Sequence, residues 1–395
     1  MEILATADWH LKDKDIEEAE KCLDFLIETA RSEKVDLIIN AGDTFDSQEI
    51  KLDSKAARLA VRVVSELADI APVAIIIGTP SHDGKSPEIL QFAKGVFPVY
   101  VASMPEQVYL YEGGFRDHNM QDGRPQAVIT MIPQPTKQYF QTASGITDSD
   151  QEIGNAMSGL FSGFGVQAAG FDCPHILVGH FNVSGAMLSN GQVRTGMDVE
   201  VSLEQIDLAR PDLVALGHIH KSQKLGAHTF YSGSLYHQNW GEMEPKGFYL
   251  HEFIDEELTS SRFIETPAKK LSRISFDYTV GEITGIDANV INGVKGTFAR
   301  LDYKVWQDDA DKIDKEAITE IMKAAGALDV DIRIVRVPRQ NVRSEAVLKA
   351  DRLRDKIQKM AELKDEEVEW SILMKADSLE DMAADELIRT VGGAA

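Results

Sequence analysis

The chain has 395 residues, enough for two or three folded units, and its 43% hydrophobic content can fill a sizeable core. Against 41 basic residues stand 64 acidic ones. The net charge of −23 excludes a protein that grips nucleic acid by bulk positive charge, though not one that acts on it through bound cations.

Two cysteines cannot form a disulfide framework. The opening MEILATADWH lacks the basic and long apolar regions of a signal peptide, and no apolar run is long enough to cross a bilayer. A cytoplasmic protein with no membrane attachment is expected. In chain order, residues 1–6, 35–40, 73–78, 127–132, 175–178 and 213–216 read as buried strands: short, apolar, and stopped by polar residues or glycine. Helical stripes lie between the early ones. Residues 16–31 carry Ala19, Leu23, Leu26, Ile27 and Ala30 on one face, and residues 54–68 carry Ala57, Ala60, Val63, Val64 and Leu67. Strand–helix–strand alternation predicts an α/β core. Residues 141–170, rich in Gly, Ser and Ala, read as a mobile excursion with a weak helix near the mouth of the site. Residues 228–232 and 247–253 are further strands. After Pro267, strands at 271–280, 296–306 and 331–337 with a helix at 311–325 predict a small separate α/β domain. Two charged amphipathic helices, at 345–363 and 378–391, close the chain.

Chemistry concentrates where the strands end. The first ends in Asp8-Trp9-His10, the second in Gly42-Asp43-Thr44-Phe45-Asp46, and the third in a run from Gly78 through Ser81, His82 and Asp83. Two later ones end in Gly179-His180 and Gly217-His218-Ile219-His220. A D-x-H or a Gly-Asp pair by itself is ordinary turn chemistry. The ordered set at five strand ends is not, because α/β sheets gather their sites at one edge. Residues i and i+2 of an extended segment face the same way, so Asp8 with His10 and His218 with His220 form two claws. Mixed carboxylate and imidazole donors suit Mn, Fe or Zn better than Ca or Mg. Asp8, His10, Asp43, His180, His218 and His220 are more ligands than one tetrahedral ion needs, and two ions sharing a carboxylate would use them all. His82 is the imidazole left over to protonate a leaving group.

This series of motifs resembles the calcineurin-like metallophosphoesterase superfamily. The run ALGHIHKSQ and the following YSGSLYHQNWGE…KGF are most similar to the SbcD-type DNA repair nucleases. The resemblance implies a four-layer sandwich of two mixed sheets flanked by helices over residues 1–265, a capping domain at 266–340 and a helical partner-binding segment at 341–395. It implies that Asp8, His10, Asp43 and His220 hold one metal, most simply Mn, and that Asp43, His180 and His218 hold a second. His82 would be the proton donor, and the Asp46 carboxylate would orient it. The family has Asn before the histidine of the third motif; here Ser81 stands there, with two extra residues ahead of it. Its hydroxyl is expected to be a poorer ligand for the second metal. The implied function is exonucleolytic and endonucleolytic hydrolysis of DNA in repair or recombination. The implied partners are a second copy, through helices after the second and third motifs, and an SMC-like ATPase of the SbcC type, through the tail helices. A cyclic-nucleotide phosphodiesterase could use the same metal site, and a non-catalytic scaffold of the ATPase complex is a third reading. Among other residues, His237 stands out because it follows the last metal motif.

Overall fold

A computed structural model describes residues 1–116, 123–136, 150–189, 199–280, 293–338, 347, 349–364, 366–380 and 382. Its layers follow from strands that are apolar on both faces. In β1 (Glu2–Thr6), β2 (Leu37–Asn40) and β3 (Val73–Ile76), alternate residues enter different cores. Leu4, Ile38, Val73 and Ile75 pack with helices α1 (Ile16–Glu33) and α2 (Lys55–Ala68). Ile3, Ala5, Leu37, Ile39, Ala74 and Ile76 face a second sheet. The helices present the predicted stripes, including Leu23, Leu26, Val63 and Leu67, all of them fully buried. Ser54 caps α2, its hydroxyl accepting from the Ala57 N–H.

The first sheet also holds β4 (Val99–Ala102), β14 (Gly247–Ile254) and β15 (Glu257–Glu265), in the order β15-β14-β1-β2-β3-β4. Strands β1 to β4 run parallel and the β14–β15 hairpin adds antiparallel. The second sheet contains β5 (Glu106–Tyr111), β6 (Gly114–Arg116), β7 (Ala127–Ile132) and β8 (His175–His180). It is completed by β11 (Leu213–Gly217), β12 (Gln223–Leu225) and β13 (Thr229–Tyr231), in the order β12-β13-β11-β8-β7-β5-β6. Its central strands β13, β11, β8 and β7 are parallel. Strands β9 (Asn182–Val183) and β10 (Glu200–Val201) pair separately. Ile176, Val178, Leu213 and Ala215 meet the first sheet, while Leu177, Val214 and Leu216 face outward beneath α3 (Asp150–Ala168). The result is the expected helix–sheet–sheet–helix stack.

Residues 141–149 of the expected excursion lie outside the described residues. The remainder differs from expectation: α3 is a 19-residue helix that buries Ile153, Met157 and Phe161 against the second sheet. Its glycines lower helix propensity in the sequence, but Gly165 permits close packing, since a Cβ there would meet the Leu208 carbonyl oxygen at 2.5 Å. The edge strands β4, β6, β12 and β15, and β5 next to β6, were not read from the sequence. A strand covered on one face carries too few apolar residues to announce itself. A short α4 (Leu203–Ile206) follows β10, closed by a Ser202–Gln205 capping box.

Further along, β16 (Leu271–Asp277), β17 (Phe298–Trp306) and β18 (Asp329–Val337) form a three-stranded sheet in that order, with α5 (Lys315–Ala324) between the last two in sequence. Two tail helices follow, α6 (Leu353–Lys364) and α7 (Trp370–Glu380). The first starts later than expected, because Ala350 and Asp351 are not helical. The second lies ahead of the expected 378–391, whose residues 383–391 fall outside the described residues. By internal contacts the chain forms two compact units. One comprises Met1–Arg273, Ala288–Arg300 and Met322–Asp331, and the other Ile274–Asp287, Leu301–Ile321 and Ile332–Ala395. Among the described residues, no helix is long and apolar enough to cross a membrane.

Candidate metal centre

The parallel strands of both sheets end on the same edge, and the loops after them are tied together by backbone. The Asp8 N–H donates to the Gly42 carbonyl at 2.9 Å, and the His10 N–H to the Asp43 carbonyl at 2.9 Å. Asp8, His10, Asp43 and His218 all take positive φ, at 51°, 43°, 52° and 91°. Such backbone costs on the order of 1–3 kcal/mol per residue and persists where the surroundings dictate it. Here it turns four polar side chains inward. Glycine is required beside them: a Cβ on Gly78 would lie 2.2 Å from both the Asp43 nitrogen and its Oδ1.

Asp43 lies between two imidazoles. Its Oδ2 is 3.3 Å from His180 Nε2 and 3.6 Å from His10 Nε2. His180 donates from Nδ1 to the Ala41 carbonyl at 2.7 Å, which leaves Nε2 turned to the cluster. His10 Nε2 and His220 Nε2 are 2.9 Å apart. Asp8 accepts the His218 N–H on Oδ1, whereas its Oδ2 is buried with no hydrogen-bond partner among the described residues, as is His10 Nδ1. The potential ligand atoms of Asp8, His10 and His220 lie within 4.8 Å of one another, as do those of Asp8, Asp43 and His180 and those of His10, Asp46 and His82. The His218 ring packs edge-on against His180, centroids 5.2 Å apart. Burial pushes the Asp8 carboxyl up, and burial together with neighbouring His220 pushes His10 well down. Burial opposes the charge on His180, but Asp43 outweighs it and holds the imidazole up at about 9, while Asp43 itself is held below the ordinary carboxylate range. Buried oxygen and nitrogen donors facing one another, two of them without a hydrogen bond among the described residues, fit divalent cations of the Mn, Fe or Zn type.

Residues 1–222 match the family described as calcineurin-like phosphoesterase. The chain belongs to that family. Among curated relatives it is similar to the D component of the nuclease SbcCD of Staphylococcus saprophyticus, 25% identical over 293 residues, 70% of this chain and 72% of the relative. It is also similar to the protein of the same name from Escherichia coli K12, 26% identical over 289 residues, 68% of each. A solved structure titled "GAP50 the anchor in the inner membrane complex of Plasmodium" aligns with a TM-score of 0.42 at 16% identity. It covers 68% of this chain and 90% of that one, too distant to carry argument.

Within this phosphoesterase fold, other expected residues sit differently. His82 Nδ1 is held at 3.2 Å by the main-chain carbonyl of Asp46, not by its carboxylate. That carboxylate accepts from Lys12 Nζ at 3.2 Å and lies 3.6 Å from His10 Nδ1. Ser81 is exposed, and its carbonyl accepts from the Gln48 N–H. The hydroxyl at the cluster belongs to Thr79, which donates to Asp43 Oδ2 at 3.1 Å and lies 3.3 Å from His180 Nε2. Counting forward from Gly78 finds Thr79; counting back from His82 finds Ser81. The two extra residues follow the contacting position instead of preceding it.

Sequence reasoning assigned no role to Glu242 and Lys246, although both stand in the quoted GE…KGF run. Glu242 Oε1 accepts from His220 Nδ1 at 2.8 Å, which fixes that imidazole's Nε2 toward His10. The Lys246 side chain is fully buried, its Nζ 2.7 Å from both Glu242 and Glu244 and donating to the His220 carbonyl at 3.0 Å. Burial would raise the Glu242 carboxyl, but His220 and Lys246 bring it down to about 2. Asp83, fully buried, accepts from the N–H groups of Phe45 and Gly78 at 2.9 and 2.8 Å and so ties the second and third loops together. Burial and nearby Asp43 raise its carboxyl to about 7.

Proposed function

We propose that this phosphoesterase is a Mn-dependent DNA nuclease with two metal ions, working with a coiled-coil ATPase of the SbcC type. The observation that carries the reading is the convergence of Asp8, His10, Asp43, His180 and His220 at the ends of parallel strands from both sheets. The two relatives named as nuclease components favour a nucleic acid as the substrate. Asp8, His10, Asp43 and His220 would hold one ion, and Asp43, His180, His218 and Thr79 would hold the other. When bound, the ions supply an activated water and neutralise charge at the phosphodiester. His220 is kept in one tautomer by Glu242, and His180 by the Ala41 carbonyl. His82, its Nδ1 on the Asp46 carbonyl, uses Nε2 to protonate the departing oxygen. The reading keeps the nuclease domain at 1–265, the cap at 266–340 and the partner-binding segment at 341–395, with a homodimer in the cytoplasm. Exposed Trp370, Ile372 and Met374 on α7 support a partner at the tail.

The test is cleavage of end-labelled linear duplex and single-stranded DNA by the purified chain in Mn, Mg or EDTA, with and without the ATPase. Degradation in Mn that His82→Ala slows by about 10²–10⁴-fold is expected. Unchanged cleavage by that variant removes His82 as the acid. Turnover of a cyclic diester that far outpaces DNA would replace the substrate.

A further inference from the structure

The loop from Tyr236 to Glu242 separates two cavities. One, of about 330 Å³, opens on His218, His220 and Glu242. The other, of about 430 Å³, lies behind it and is lined by Lys14, Trp240, Lys269, Phe298 and Arg300 among others, with Asn239 lining both. The second cavity is not used by the metal chemistry, yet it is bound tightly to it. The Tyr236 hydroxyl, on its wall, donates to the His10 carbonyl at 3.0 Å. Gln238 accepts from Lys12, which also holds Asp46. Asn239 donates to Glu242 at 2.7 Å, and Glu242 holds His220.

Its composition departs from the rest of the chain. Three cations face two carboxylates, Asp15 and Glu18, in a protein whose net charge is −23. Glu18 is already engaged by the Lys269 N–H and by Lys21, and Arg300 lies 3.4 Å from Asp331. Both aromatic rings are half-buried, and each has a cation over it. The Arg300 guanidinium is 5.4 Å from the Trp240 ring and Lys269 Nζ is 5.0 Å from Phe298. Aromatic faces interleaved with cations are what a single strand recognises, because any base can stack and the neighbouring phosphate needs a counter-charge.

We propose that this cavity is a nucleobase subsite, which seats one unpaired base of a DNA strand against Trp240 and Phe298 with its phosphate near Lys14 and Lys269. The subsite rests on the nuclease reading and adds to it. A strand whose scissile phosphate lies at the metal centre reaches the cavity past Asn239. Cleavage then requires an unpaired nucleotide at one fixed distance from the cut, so the enzyme reads strand opening as well as phosphate.

The experiment uses the full chain in Mn with single-stranded oligonucleotides that carry one abasic nucleotide at successive positions from the cleaved bond. In the wild type, the abasic residue is expected to raise KM about tenfold at one position and little elsewhere. In Trp240→Ala the intact and abasic substrates should share one KM, and Trp240→Phe should restore part of the difference. Thermal melting of both variants checks that they fold. Cleavage by the wild type without any positional effect, or a positional effect that survives Trp240→Ala, overturns the subsite and leaves the nuclease standing. Absence of DNA cleavage in Mn, with the ATPase present as well, overturns both.

Discussion

Thr79 and Ser81 are both hydroxyl residues two positions apart in one loop, and only one faces Asp43 and His180. Thr79→Val keeps the shape and removes the hydroxyl, so on the proposed two-ion reading Mn affinity at the second site should fall about tenfold or more and activity with it. Ser81→Ala, altering an exposed side chain, should leave both within about twofold. Calorimetric Mn titration of the two variants separates them. Glu242 would act on the metal only through His220, whose Nδ1 it holds. Glu242→Gln keeps an oxygen for the His220 Nδ1–H but loses the charge that pairs with buried Lys246, so Mn affinity should drop about 10–100-fold. A wild-type Mn isotherm from that variant would reduce Glu242 to packing. Asp8, His10, Asp43 and His218, four of the eight non-glycine residues with positive φ among the described residues, carry the same lesson, since their backbone turns these side chains toward the cluster.

At the scale of elements, α3 shows how a glycine-rich stretch becomes an essential layer. Gly159 and Gly165 both break helix propensity, but their surroundings differ. Among the described residues, nothing beyond the helix's own backbone lies within 4 Å of a Cβ at Gly159, whereas one at Gly165 runs into the Leu208 carbonyl at 2.5 Å. Gly159→Ala should therefore stabilise the protein by about 0.5–1 kcal/mol, through helix propensity alone. Gly165→Ala gains the same propensity and loses more to the clash, for a net cost of about 1–2 kcal/mol. Urea midpoints of the two variants should move in opposite directions; a shared direction would mean that the helix is less closely seated than described. The doubly buried strands behave in the contrary way. Their alternation feeds two cores at once, which is why β1, β2, β3, β8 and β11 were legible as uninterrupted apolar runs.

For the whole molecule, stability should depend on pH through histidines that fold neutral. His251 is wholly buried, its Nδ1 on the Ser261 hydroxyl, and burial pushes its imidazole down to about 3. His175, also buried, is lowered as well. A group whose folded pKa lies below its unfolded one takes up its proton first in the unfolded chain. The stabilisation is complete above about pH 6.5 and is lost as pH falls toward 3. Between pH 7 and pH 5 this amounts to about 2 kcal/mol for His251 alone. Urea unfolding at the two pH values should therefore show a smaller decline in His251→Asn than in the wild type. Equal declines would assign the acid sensitivity to other groups. The net charge of −23 opposes gripping a polyanion by bulk charge, so on the proposed reading a partner would bring the DNA to the centre.

Residue type and spacing alone determined the family, the five strand ends and the histidines and aspartates on them, because a strand's direction fixes where the chain emerges and glycine marks where it must turn sharply. Local alternation announced the α/β core and the resemblance implied two sheets, but the order of the strands within them came only from the tertiary structure. What only the tertiary structure decided depends on residues brought together across the chain. Thr79 meets His180 across 101 positions, and Glu242 reaches His220 from a later loop. Asp46 holds His82 by its carbonyl and leaves its carboxylate to Lys12. Side-chain identity is the same in either arrangement. Which atom points at the centre is set by backbone dihedrals and by packing from both sheets, and neither is written in the spacing of a motif.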